Sequence, residues 1–241
     1  VIGLHRRVST WDRWLDAANF FRSDELEFRG AERALEAMAG HRRRVLVVIG
    51  NHDTAVYDGP IGQTWAEMLG SGHHIVMTRK SVYPIPPPES HGDIVYVDED
   101  DPSSFPLAES VSKIKQFLTQ HDVVSLTIYP EGMMAFTAAQ MPLVTKDGAF
   151  VVARKLAIEL GASDIPVFLV EVKTNTLDEI TRHDFVPATT EVAAVEVVLA
   201  TPFVKGQPDE WMSRRRLEAE NRFNEHRGNR MLDVVASTRI P

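Results

Sequence analysis

In the stretch VVIGNHDTAVYDGP, Val47 to Pro60, an apolar run rich in β-branched residues ends at Gly50. A histidine, His52, follows between Asn51 and Asp53, with a further aspartate at Asp58. A neutral imidazole near pH 7 can take a proton from a hydroxyl, and a carboxylate on its other nitrogen would fix the tautomer and stabilise the cation that forms. The same side chains can ligate metal ions. They can also be a polar turn, with Asp58 capping the next helix or serving the Asp-Gly-Pro turn while His52 bonds to backbone. His52 and Asp58 share one loop between a strand and a helix, so the chain can fold them within hydrogen-bond reach. For an isolated pair, the turn is the simpler explanation.

The elements around this loop give it a setting. STWDRWLDAANFFRS places Trp11, Trp14, Leu15, Ala18 and Phe21 at helical spacing, with Ser9 or Thr10 as cap. This N-terminal amphipathic segment, residues 1–25, is expected to pack its aromatic face on the body, with membrane-surface contact as the alternative. From residue 26 to 241 the pattern is that of one α/β domain. The strand LEFRG, the helix AERALEAMAG and the strand RVLVVIG lead into the loop; IGQTWAEML after Pro60 reads as a helix and HHIVMT as a strand. YPIPPPESHG is a loop because proline removes backbone donors. DIVYVDED and VVSLTIYP read as strands, with SFPLAESVSKIKQFLTQ as a helix between them. DGAFVVARKLAIELG is a helix, IPVFLVEVKT and VAAVEVVLATPF are strands, and a charged helix from about Asp209 to Asp233 closes the pattern. Strands alternating with helices imply a mostly parallel, buried sheet flanked by helices. Sites in such sheets gather where strands end, and His52 stands at such an end.

Composition narrows the function classes. The 241 residues include no cysteine, which excludes thiol nucleophiles, disulfides and cysteine-ligated zinc and fits a cytoplasmic setting. A net charge of -8 argues against a generally nucleic-acid-binding surface. The two basic stretches, His41 to Arg44 and Ser213 to Arg230, read most simply as solvated faces. No apolar run approaches the roughly 20 residues that span a bilayer.

Gly-Asn-His-Asp after an apolar strand resembles a metal-binding motif of the dinuclear metallophosphoesterases. The Asp-x-His and Gly-Asp-x-x-Asp that family carries upstream do not occur in residues 1 to 50, so this stands as a weaker alternative.

A wider resemblance covers roughly Leu26 to Phe203. NHDTAVYD, the YPEG of LTIYPEGMMAF (Leu126 to Phe136), the TKDG that opens the helix, and the strand IPVFLV (Ile165 to Val170) follow in an order similar to that of the glycerolipid acyltransferases, whose members include the 1-acylglycerol-3-phosphate acyltransferases. HGDIVYVDEDD resembles that family's second block. The resemblance implies an acyltransferase-like α/β fold and an O-acyltransferase of phospholipid or related lipid metabolism. It needs no cofactor beyond acyl-CoA or acyl carrier protein as co-substrate, and it works in the cytoplasm or peripherally at the inner face of a membrane. It implies His52 as the base that deprotonates a lipid or lipid-like hydroxyl, with direct attack on the thioester and no acyl-enzyme. Asp58 would orient His52, while Asn51, Glu131, Gly132 and Met133 would lie on the substrate side. Lys80 and Lys146 would meet an anionic group.

Three departures carry information. The family's histidine and aspartate are usually separated by four residues, whereas here five intervene, Asp53 to Tyr57. Either a bulge restores the contact or the pair is not made. The usual Glu-Gly-Thr-Arg reads Glu131-Gly132-Met133-Met134, and the arginine that usually ends the second block is replaced by Asp98-Glu99-Asp100. Losing both guanidinium groups removes strong phosphate contacts and points to a less anionic acceptor, such as a sugar, polyol, amino lipid or polyketide-like alcohol, with Met133 and Met134 as an adaptable apolar wall. A non-catalytic acyl- or lipid-binding domain of the same fold is the alternative from a different class.

Overall fold

The computed structural model describes residues 27–52, 58–79, 92–97, 105–132, 144–175, 189–200 and 209–237, together with residues 202, 204 and 207. Among them the strands are β1 (Glu27–Arg29), β2 (Arg44–Gly50), β3 (His73–Arg79), β4 (Gly92–Val97), β5 (Val123–Ile128), β6 (Val167–Asn175) and β7 (Thr189–Val198). The helices are α1 (Ala31–Ala37), α2 (Asp58–Met68), α3 (Leu107–Phe117), α4 (Gly148–Gly161) and α5 (Glu210–Ser237). The N-terminal segment 1–25 lies outside the described residues.

The strands form one sheet in the order β1-β7-β6-β2-β5-β3-β4. β6, β2, β5, β3 and β4 run parallel, as their long apolar runs imply, while β7 pairs antiparallel to β6 and carries β1 parallel beside it. Helices cover both faces. Alternation along β2 sends Val45, Val47 and Ile49 to a core completed by Val111 and Ile114 of α3, Phe150 and Leu156 of α4 and Phe223 of α5. Leu46 and Val48 face the other way, onto Ala34 of α1, Ile61 and Trp65 of α2, and Leu69 just past it.

Two boundaries differ from the sequence pattern. α2 starts at Asp58 rather than after Pro60, because proline is tolerated in a first helical turn, where its missing N–H has no intrahelical acceptor. β7 runs from Thr189 to Val198 instead of on to Phe203, because its partner sets its length: Thr189 pairs with Asn175 and Val198 with Val167, where β6 begins.

A buried polar cluster lies where β3 begins, beside β5. His74 is 2% exposed; its Nδ1 lies 2.7 Å from Ser125 Oγ, which also meets Ser71 Oγ at 2.8 Å. Burial, with the nearby charge of His73, pushes the His74 pKa down to about 3. In the unfolded chain the same group titrates near 6.5. Between those values the unfolded state takes up a proton that the folded state refuses, so stability is fully present above about pH 6.5 and falls as the pH drops, by about 1.4 kcal/mol per pH unit from this residue. Urea denaturation at a series of pH values should show a shallower acid loss in His74→Asn than in the parent. Parallel profiles between pH 6 and 4 would contradict it.

Candidate active site

β2 and β5 lie side by side, yet the chain leaves their C-terminal ends toward opposite faces: β2 leads to α2, and β5 to α4. This opens a crevice at the ends of parallel strands, the usual binding position in such sheets. Asn51 and His52 continue β2 into it. Tyr129, Pro130, Glu131 and Gly132 continue β5.

Asn51 is fully buried and works as a clip. Its Nδ2 donates to the Thr174 carbonyl at 2.8 Å, and its Oδ1 accepts from the Thr174 N–H at 2.7 Å. It thereby mimics one more rung between β2 and β6. His52 follows, partly exposed, with its ring stacked on Tyr129 at a centroid distance of 5.0 Å and an interplanar angle of 25°. The His52 backbone N–H donates to Glu131 Oε2 at 2.9 Å. This hydrogen bond and the ring stack tie together two segments 79 residues apart.

Glu131 is 2% exposed. Its Oε1 accepts from Arg227 Nη1 at 2.5 Å and its Oε2 from Arg227 Nη2, a two-pronged pair with a fully buried guanidinium on α5. The carboxylate therefore faces the protein and braces the His52 backbone.

The turn after β5 closes through Gly132 N–H to the Tyr129 carbonyl at 3.1 Å, and Lys146 N–H to the Pro130 carbonyl at 2.7 Å. Gly132 has φ +65, and a Cβ placed there would lie 2.8 Å from Lys146 Nζ. The left-handed backbone favours glycine there, and the lysine stem crosses it closely. Arg79, exposed at the end of β3, donates from Nη2 to the Gly132 carbonyl at 2.6 Å. Among the described residues neither Arg79 nor Lys146 meets a carboxylate, although most arginines of α5 do.

Of the residues the sequence singles out, the structure gathers Asn51, His52, Glu131, Gly132 and Lys146. Asp58 is the first residue of α2, and its side chain lies outside the described residues, as do Lys80, Met133 and the loop 53–57. Arg79 and Arg227 are the additions. Arg227 corrects the view of Ser213 to Arg230 as a solvated face, since Arg227 is fully buried and Arg222 grips Glu171, Nε to Oε1 at 2.8 Å. Its signal was spacing: Met212, Ala219, Phe223 and Arg227 continue one buried stripe of α5.

Among the described residues no three or more His, Asp or Glu side chains gather as metal ligands, and no helix is long and apolar enough to cross a membrane. Neither comparison with protein-family models nor comparison with curated proteins returns a match to the chain.

Proposed function

We propose that the protein is an O-acyltransferase that moves a fatty acyl group from acyl-CoA or acyl carrier protein to a hydroxyl of a lipid or lipid-like acceptor. The observation that carries this reading is the meeting of the Asn-His and Pro-Glu-Gly segments at the crevice, joined by the His52 N–H to Glu131 bond of 2.9 Å. That contact presents a partly exposed imidazole beside a turn flanked by two cations.

The chemistry needs little more. His52 takes the hydroxyl proton as the acceptor oxygen bonds to the thioester carbonyl carbon. The tetrahedral intermediate then collapses, the carbon–sulfur bond breaks, and the imidazolium returns its proton to the departing thiolate. Products are an ester and a free thiol, with no acyl-enzyme. Asn51, Glu131 and Gly132 hold the loop ends that place His52, while Asp58 at the start of α2 is the candidate orienting carboxylate. Association at the cytoplasmic face of a membrane belongs to this reading through its lipid acceptor.

Arg79 and Lys146 bear on the substrate's charge. The family arginines are absent, but these two cations converge on Gly132 and suit an anionic group of donor or acceptor. Replacing both, Arg79→Gln with Lys146→Gln, should raise KM for the charged substrate about 100-fold or more with kcat little changed, since each charge-assisted bond contributes about 1.5–3 kcal/mol. Steady-state kinetics with phosphorylated and unphosphorylated acceptors locates the effect; an unchanged KM for every substrate would remove the pair from the site.

Mass spectrometry of reactions containing acyl donors and a panel of hydroxyl acceptors tests the function itself. A new ester formed by the parent protein supports it. Tight acyl-chain binding with no ester from any acceptor would replace it with a non-catalytic lipid-binding domain.

A further inference from the structure

We propose that Arg227, about two-thirds of the way along α5, is a positioning residue for the His52 base, acting through Glu131. The kinetic part of this inference rests on the acyl-transfer reading; the structural part does not.

Helix α5 climbs along β6 from near the start of that strand to its C-terminal end. At its start Arg154 of α4 meets Asp209 at 3.1 Å, and Arg215 pairs with Glu196 on β7. Higher up, Arg222 holds Glu171 at the irregular step in the β6–β7 pairing. At the top, His226 Nε2 lies 3.1 Å from the Thr174 carbonyl, the same oxygen that Asn51 Nδ2 reaches, and Arg227 forks onto Glu131. Glu220 also accepts the Thr145 N–H at 2.7 Å, next to Lys146. One helix thus touches the partners of Asn51 and His52 and the neighbour of Lys146.

The route from Arg227 to the base is short. The guanidinium fixes both oxygens of Glu131, and Oε2 in turn fixes the His52 backbone N–H. A planar fork sets the carboxylate's direction as well as its charge, which a lysine in the same place would not do. Because reaction geometry tolerates little displacement, losing the fork should act on turnover through the position of His52.

The test combines kinetics with the His52 amide resonance in 15N-labelled protein. Arg227→Met is expected to lower kcat about 100-fold with KM within about twofold, and to move the His52 amide resonance upfield as its hydrogen bond weakens. In a Glu131→Gln background the same substitution should add little, because the two residues act as one unit. Arg227→Lys keeps the charge without the fork, and it is read in place of Arg227→Met should that variant not fold. It should lose at least about tenfold in kcat and also move the resonance. Parent-like kcat and an unmoved amide in a folded variant would overturn the proposal. If no variant, the parent included, transfers an acyl group, the acyltransferase reading fails by itself, and the amide shift still decides the positioning role.

Discussion

Replacing Glu131 with alanine is expected to destabilise the protein by about 3–5 kcal/mol, because it leaves the Arg227 guanidinium buried with its facing carboxylate gone. The side chains of the pair are 1% and 0% exposed, so water cannot replace the lost partner without opening the interface between α5 and the sheet. In a domain of this size each kcal/mol moves the melting temperature by about 2–4 °C, so a fall of roughly 10 °C or more should appear in thermal denaturation. The double variant Glu131→Met with Arg227→Met should recover much of that loss, since it removes both charges and fills the space. A melting temperature within a few degrees of the parent for Glu131→Ala alone would mean that the pair is not held as described.

His52→Ala should do the opposite. Turnover is expected to fall by about 10²–10⁴, the usual contribution of a general base, while stability changes little. The ring is partly exposed and its described ring contact is the stack on Tyr129, about 0.5–1.5 kcal/mol. Alanine keeps the backbone N–H, so the bond to Glu131 survives and the loop stays in place. Comparing kcat with the urea midpoint separates the two effects. A variant that is active and unchanged in stability would remove His52 from the chemistry.

The contrast between these two substitutions explains what the sequence could reveal. β2 and β5 were legible because a parallel strand buried on both faces is written as a continuous apolar run, RVLVVIG or VVSLTI, with little else it can be. His52 followed from its place just past β2, whereas the strand order that sets β2 beside β5 did not. The brace behind it was not legible. Arg227 sits 96 residues beyond Glu131, in a stretch where arginine and glutamate alternate as they do on solvated helices. Only its place at i+4 from Phe223 on the buried stripe marked it, and that marking is faint beside so many neighbouring charges. Arg79 carries no sequence signal for a similar reason. Its role depends on β3 and β5 being sheet neighbours, which brings the end of one strand to the turn of the other. Asn51, by contrast, was seen as a substrate contact because of its motif, and its engagement with Thr174 depends on the pairing of β2 with β6.

The absence of the two arginines that the acyltransferase resemblance leads one to expect takes on a different cast beside Arg79 and Lys146. The sequence pointed to a less anionic acceptor, yet the Gly132 turn still carries two cations without carboxylate partners among the described residues. Under the proposed acyl transfer, an anionic group on the thiol carrier would reconcile the two observations, because it needs the cations while leaving the acceptor uncharged.

The most direct measurement follows free thiol release from acyl-CoA and acyl carrier protein donors of several chain lengths, with hydroxyl acceptors present and absent, for the parent and His52→Ala. Acceptor-dependent release by the parent, lost in a folded His52→Ala protein, is the predicted result. Release that persists undiminished in His52→Ala, or no release from any donor by the parent, would contradict it.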